Sequence, residues 1–255
     1  MRILLSNDDG FYATGLTILR RVLEPLGQVV VVAPEGQRSA SGHAITMHKP
    51  LYPRRVDWSP SSYGWRVNGT PADCVKLGIG ALLDETPDLV LSGINHGSNL
   101  GKDVFYSGTV SAAVEAMLLG VPAMALSLDN GHDAAFEWAA QFIRWWITGP
   151  DFVPPPPGTL YNINFPDPRH GRPRVMKGAP LGQRDYANEF QKGQDPHGRE
   201  YYWISGERID RLDEEETDVA LHHRGFITLT PLSMNWVNES LLARLPEVAV
   251  PERWG

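Results

Sequence analysis

The stretch Gln28-Val29-Val30-Val31-Val32-Ala33 decides the fold class. Four successive β-branched residues without polar alternation describe a strand covered on both faces, and such strands belong to parallel sheets with helices above and below. Upstream, Arg2-Ile-Leu-Leu-Ser6 is a second short apolar run, closed by the turn signal Asn7-Asp-Asp-Gly10. Between the two, Ile18, Leu19, Val22, Leu23 and Leu26 recur at helical spacing, with Thr14 as N-cap and Gly27 as stop. Pro25 predicts an irregular last turn. Strand, helix, strand is the βαβ unit, whose crossover is right-handed.

The same grammar continues downstream. Residues 50–67 read as one or two edge strands around a polar turn. Thr70-Pro-Ala-Asp73 opens a helix, with a capping threonine, proline in the first turn and an acid three residues after the cap. Leu89-Val-Leu-Ser92 and residues 121–128 are strands. Val110, Ala113, Val114, Met117 and Leu118 mark a helix between them. Asp133 is expected to cap another helix, turning Phe136, Ala139, Ala140, Ile143 and Ile147 inward. Residues 160–164 and 226–230 look like further strands. The alternation predicts an α/β protein with a parallel sheet.

After Gly149 the pattern changes. Residues 154–157 are four prolines, a stiff surface connector. Residues 180–200 are polar and predict a projecting hairpin, flanked by Arg174-Val-Met176 and Tyr201-Tyr-Trp-Ile204. The tail carries Trp236, Leu241, Leu242 and Trp254. With no repeats and no strong linker, residues 1–255 read as one α/β domain, of which about 180–255 is an extension.

Composition narrows the function classes. The 255 residues carry a net charge of −7 and 42% apolar residues. An acidic chain gains little from the phosphate neutralisation that drives nucleic-acid binding, so no nucleic-acid partner is expected. No apolar run approaches the ~20 residues of a membrane span. The apolar part of the N-terminus is too short for a signal peptide. The single cysteine, Cys74, allows no intrachain disulfide, so a reducing, cytoplasmic setting is expected. A phosphate-ester substrate would need local positive potential, which a cation or a helix N-terminus supplies.

In an open parallel sheet, ligands sit beyond the carboxyl ends of the strands. Three polar, glycine-rich loops are expected there: Asn7 to Gly10, residues 34–42 with Ser39 and Ser41, and Ser92-Gly-Ile-Asn-His-Gly-Ser-Asn-Leu-Gly101. The adjacent Asp8 and Asp9 are hard oxygen ligands suited to Mg²⁺ or Mn²⁺. Taken alone they equally fit a turn, and Asp8 also fits a phosphoryl-accepting nucleophile. Ser39 and Asn95 are neutral oxygen donors that fill a cation's sphere without adding charge, and singly each is as well explained by a capped turn. His96 reads as a metal ligand, a general acid or simply a hydrogen-bonding loop residue. Ser107-Gly108-Thr109 opens the helix at Val110, where first-turn amides, two hydroxyls and a glycine form a phosphate cradle or an ordinary cap. Asn99 is counted with the phosphate-binding residues. Glu214, Glu215, Glu216 and Asp218 read as a solvated helix start. His222 and His223 lack the spacing of a metal site, and Cys74 reads as packed. Trp145 and Trp146 cannot both face one core, which leaves one for a subunit contact.

These residues resemble the SurE family of survival-protein nucleotidases. The likeness is carried by Ile3-Leu-Leu-Ser-Asn-Asp-Asp-Gly10, Ala33-Pro-Glu-Gly-Gln-Arg-Ser-Ala-Ser-Gly42, Val67-Asn-Gly-Thr-Pro-Ala-Asp-Cys-Val75, Ser92 to Gly101, Tyr106-Ser-Gly-Thr-Val-Ser-Ala-Ala-Val-Glu-Ala116 and Gly225-Phe-Ile-Thr-Leu-Thr-Pro-Leu232. The resemblance implies a Rossmann-like, three-layer core with a C-terminal hairpin and tail. It implies hydrolysis of nucleoside 5′-monophosphates, with 3′-monophosphates and short polyphosphate as further substrates, by a metal-activated water. One divalent cation per subunit, Mg or Mn, would be held by Asp8, Asp9, Ser39 and Asn95, and phosphate by Ser107, Gly108 and Thr109. It also implies a homodimer or homotetramer joined through the extension. No residue stands out as the leaving-group acid. The rivals are an aspartyl-phosphate enzyme acting through Asp8, which would want its second aspartate where Gly10 stands, and a nucleotide sensor without turnover.

Overall fold

The structure, a computed structural model, describes residues 1–246 apart from Arg172, Arg174, Asn188 and Trp236, and only the backbone of His170. The expectations for Arg174, Trp236 and Trp254 lie outside the described residues. The strands are β1 (Arg2–Ser6), β2 (Gln28–Pro34), β3 (Arg54–Ser59), β4 (Ser62–Val67), β5 (Leu89–His96), β6 (Ala123–Leu128), β7 (Thr159–Phe165), β8 (Met176–Gly178), β9 (Arg184–Tyr186), β10 (Glu189–Gln194), β11 (Glu200–Ser205), β12 (Arg208–Asp210) and β13 (Ile227–Ser233). The helices are α1 (Thr14–Leu23), α2 (Pro71–Leu77), α3 (Gly108–Leu118), α4 (Asp133–Thr148), α5 (Asp218–His223) and α6 (Glu239–Leu242).

The main sheet runs β3-β4-β2-β1-β5-β6-β7-β13-β8. Its centre is parallel, with Leu4 of β1 registered against both Val30 of β2 and Val90 of β5. The valine run does what its composition predicts. Val29, Val31 and Ala33 enter the core shared with Ile18 and Leu19 of α1 and Phe136 and Ala139 of α4. Val30 and Val32 enter the opposite core with Cys74 and Val75 of α2 and Val114 of α3. Each buried valine contributes about 1.5–3 kcal/mol on either face, which is why a polar substitution anywhere in β2 has no tolerant side. The result is the three-layer, Rossmann-like architecture expected from the sequence. Among the described residues, no helix is long and apolar enough to cross a membrane.

Some local expectations are corrected and others are met. Thr14 is the first helical residue, and Ala13 holds the cap position with no side-chain bond. His132, not Asp133, precedes α4, and Asp133 instead places its charge in the first turn, where the helix dipole favours it. Of residues 50–67 only β3 is an edge. β4 pairs in parallel with β2, because Gly64 lets the two backbones pass: a Cβ there would lie 2.3 Å from the Val31 carbonyl oxygen. The strand at Leu89 runs on to His96, so Asn95 stands on the end of β5 instead of in a free loop. The irregular turn at Pro25 is a short 3₁₀ segment ending at Gly27. The capping box of Thr70 and Asp73 forms in full.

The predicted excursion is a two-tier projection: β9 pairs with β12 at its base and β10 with β11 beyond. Trp145 is 67% exposed, whereas Trp146 packs against Phe152. Asp218 overturns the expectation of a solvated acid. It is fully buried and accepts hydrogen bonds from the amides of Gly101 and Gly182.

Candidate active site

The end of β1 is built by Asn7. Its side chain donates to the Gly10 carbonyl at 3.0 Å and accepts from the Gly10 amide at 3.3 Å, closing an Asx turn that holds Asp8 and Asp9 out from the sheet. The Phe11 amide then donates to the Pro34 carbonyl at 2.8 Å, so the turn is pinned to the end of β2.

Three segments meet at the two aspartates. The Arg38 amide, one residue before Ser39, donates to the Asp8 carbonyl at 2.7 Å. The Thr109 hydroxyl donates to Asp8 Oδ1 at 2.5 Å. The His96 amide, next to Asn95, donates to Asp9 Oδ2 at 3.1 Å. The Gly42 amide donates to the Tyr106 carbonyl at 3.1 Å and so ties the Ser39 loop to the approach of α3. The convergence read from strand ends is thus realised by hydrogen bonds.

The two carboxylates sit in an electrostatically unfavourable setting. Asp8 is only 5% exposed. Burial pushes its carboxyl above the ordinary carboxylate range, Thr109 opposes that, and the neighbouring Asp9 adds to it. Burial raises Asp9 as well, against the His96 contact. Neither carboxylate has a salt-bridge partner among the described residues. No group of three or more His, Cys, Asp or Glu side chains is gathered for a metal among the described residues. A cation here would therefore rest on two carboxylates and neutral oxygens, which is the donor chemistry of a hard divalent ion. Asn95 donates its N–H₂ to the Gly97 carbonyl at 2.8 Å, which turns Oδ1 into the oxygen available to a ligand. Ser39 is exposed and accepts from Gln37 at 2.9 Å.

α3 presents its N-terminus to the same point. Ser107 is the N-cap and accepts from the Val110 amide at 3.1 Å. Gly108 touches Asp8 so closely that a Cβ would lie 2.7 Å from Asp8 Cβ, 2.9 Å from Oδ2 and 3.0 Å from Ser41 Oγ. The orphan amides of the first turn and the glycine's bare surface are what a phosphate group needs.

Two residues behave differently from expectation. Thr109 spends its hydroxyl on Asp8, so it orients a carboxylate as well as opening the helix. Asn99 is sealed inside: its amide donates to Ser127 Oγ at 2.8 Å, and its carbonyl accepts from Asn162 and Asn164. His96 contributes its backbone, while its ring is tilted toward Phe136. His222 is buried with Nε2 against the Phe165 carbonyl at 3.2 Å, away from the aspartates in sequence and in contact.

Sequence reasoning missed Arg184 and Asp218, which bond to the segment between Asn95 and Ser107. It also missed Glu115, buried on α3 and paired with His43 at 2.8 Å and Lys76 at 2.7 Å. No local pattern marks these residues, since their partners are brought together only by folding.

The chain is similar in sequence and fold to known proteins. Residues 3–188 match the family model described as survival protein SurE. The chain is 46% identical to the 5′-nucleotidase SurE of Pelotomaculum thermopropionicum, across 97% of this chain and 95% of the relative. It is 47% identical to the 5′-nucleotidase SurE of Moorella thermoacetica, across 94% and 93%. The crystal structure of the SurE protein from Aquifex aeolicus superposes with a TM-score of 0.79 at 37% identity, covering 96% of this chain and 98% of that one.

Proposed function

The chain belongs to the SurE family, and from that premise we propose that it is a divalent-metal-dependent phosphomonoesterase that hydrolyses nucleoside 5′-monophosphates to nucleoside and phosphate. Nucleoside 3′-monophosphates and short polyphosphate are included as further substrates. The observation that carries the reading is the seating of α3 on the aspartate pair, with Gly108 against Asp8 Oδ2 and Thr109 bonded to Oδ1.

Asp8, Asp9, Ser39 and Asn95 would hold one Mg²⁺ or Mn²⁺. When bound, such a cation supplies Lewis acidity toward the phosphoryl group and acidifies water at neutral pH. The chain's own residues do the rest. Ser107 and Gly108 bring first-turn amides to the phosphoryl oxygens, where fixed dipoles stabilise developing charge. Thr109 and the Arg38 amide hold Asp8 in one orientation. Asn99 enters as the anchor of the Asn95 loop, because its amide is engaged by Ser127. The burial of Asp8 and the occupation of Oδ1 speak against in-line attack by Asp8 on phosphorus.

The setting proposed is cytoplasmic, consistent with one buried, unpaired cysteine. Homo-oligomer assembly is assigned to the projection and tail, whose exposed Phe190, Trp203, Ile204 and Leu242 favour a second copy of this chain.

The test is phosphate release from AMP and GMP by protein stripped with EDTA and then given Mg²⁺ or Mn²⁺. Activity should vanish on chelation and return with the metal. Activity that survives chelation, or an Asp9→Asn variant of full activity, would overturn the proposal. A phosphoenzyme trapped on Asp8 by acid quench would replace its mechanism.

A further inference from the structure

Arg184 is the least expected side chain in the molecule. It lies at the first position of the projection, is 2% exposed and carries a full charge into the interior. A buried guanidinium persists only when paired and hydrogen-bonded. Its partners come from two directions. Nε and Nη2 donate to Asp210 at 2.7 and 3.1 Å, which closes the base of the projection. Nη1 donates to Asp103 Oδ2 at 2.9 Å and to Ser98 Oγ at 3.2 Å, both in the segment between Asn95 and the phosphate cradle.

Asp103 passes this grip on. Its backbone carbonyl accepts from the amides of Tyr106 and Ser107, both at 3.0 Å. Ser107 is the cap of α3. The chain of contacts therefore runs Arg184, Asp103, Ser107 and then the first turn that faces Asp8. Tyr186, two residues along β9, donates to the other Asp103 oxygen at 2.8 Å. Gly101, at the start of the turn, is held separately by Asp218 at 3.0 Å. The projection thus grips the cradle through its own first strand.

We infer that Arg184 is a positioning residue for phosphate: through Asp103 it sets the placement of Ser107 and Gly108, so that the projection's base belongs functionally to the site. The inference rests on the proposed reading of α3 as a phosphate cradle. Misplacement of a positioned group by about 1 Å costs up to about a hundredfold in rate. Arg184 does not reach the reacting atoms, and the effect is expected on phosphate affinity first.

Two variants separate this role from mere support of the fold. Arg184→Lys keeps the charge and loses the fork. Asp103→Asn leaves Arg184 paired with Asp210, so the buried charge stays compensated while the ion pair that grips the cradle is reduced to a weaker hydrogen bond with a neutral acceptor. The readouts are the Kd of inorganic phosphate by calorimetry, the KM and kcat for AMP, and the melting temperature, all in Mg²⁺. Expected for both variants is a weakening of phosphate binding and a rise in KM of about tenfold, with kcat less affected. If Arg184→Lys fails to fold, Asp103→Asn decides alone. A folded Asp103→Asn protein with wild-type phosphate Kd and KM overturns the inference. A wild-type protein that binds phosphate but releases none from AMP refutes the nucleotidase reading instead, and the Asp103→Asn Kd still reads the tether.

Discussion

The Thr109 hydroxyl donates a 2.5 Å hydrogen bond to Oδ1 of Asp8, joining residues 101 positions apart in the chain. Both groups are buried. The bond engages Oδ1 and leaves Oδ2 as the Asp8 oxygen without a hydrogen-bonded side chain among the described residues. Thr109→Val keeps the shape and removes the donor. It should cost about 1.5–3 kcal/mol of support for the carboxylate, and lower kcat/KM for AMP by about tenfold to a hundredfold. A Val variant with wild-type kcat/KM would show that the bond does not orient Asp8.

Asp8→Asn should move stability and activity in opposite directions. The side-chain amide still accepts from Thr109, and the repulsion between buried Asp8 and half-buried Asp9 disappears. In EDTA the variant should melt at least as high as the wild type, with a gain of about 2–4 °C for each kcal/mol relieved. Its metal-supported activity should fall by about a hundredfold or more, since one of two charged ligands is lost. Thermal scans with and without Mg²⁺ check this, and a variant less stable than wild type in EDTA contradicts it.

Gly108→Ala offers a steric test. Gly108 is the first residue of α3, where alanine is an acceptable helix former. The added methyl nevertheless meets Asp8 Cβ at 2.7 Å and Oδ2 at 2.9 Å. We expect a folded protein whose melting temperature changes little and whose activity falls about a hundredfold, because the carboxylate must move. Full activity in this variant would place the phosphate site elsewhere.

His222 predicts a pH response of the fold. Burial lowers its imidazole from 6.5 to about 4, against the pull of Asp129 and the Phe165 carbonyl. The unfolded chain then binds more protons than the native one between those two values, so stability is full above about pH 6.5 and drains as pH falls toward 4. The loss is of the order of 3 kcal/mol. His222→Gln should flatten the melting-temperature profile across that interval. An unchanged slope would assign the acid sensitivity to other groups.

The sequence alone carried the local logic. Period-3.6 patterns, the Thr70 capping box and the unbroken valine run report which elements form and which faces are buried, and those depend on neighbours a few residues away. The Asp8–Asp9 pair was legible for the same reason, because a strand followed by a turn puts its next residues at the sheet edge. Even so, the pair read alone was equally a turn. What folding adds to the pair is the encounter with Arg38, His96 and Thr109, each from a different segment.

Only the tertiary structure decided the rest. Asp218 read as a solvated acid and is a buried acceptor for the backbone amides of Gly101, Gly182 and Val219, the first of them 117 residues away. Asn99 read as a phosphate-binding residue from its loop alone, and the structure adds that its side-chain amide donates to Ser127 in the interior. Arg184 had no motif at all, yet it joins segments 81 and 26 residues away. The physical reason is common to all three. Which strand, helix or turn a sequence forms follows from local propensity and pattern, whereas the partner of a buried polar group is set by which distant backbone arrives beside it, and no periodicity in the chain encodes that arrival.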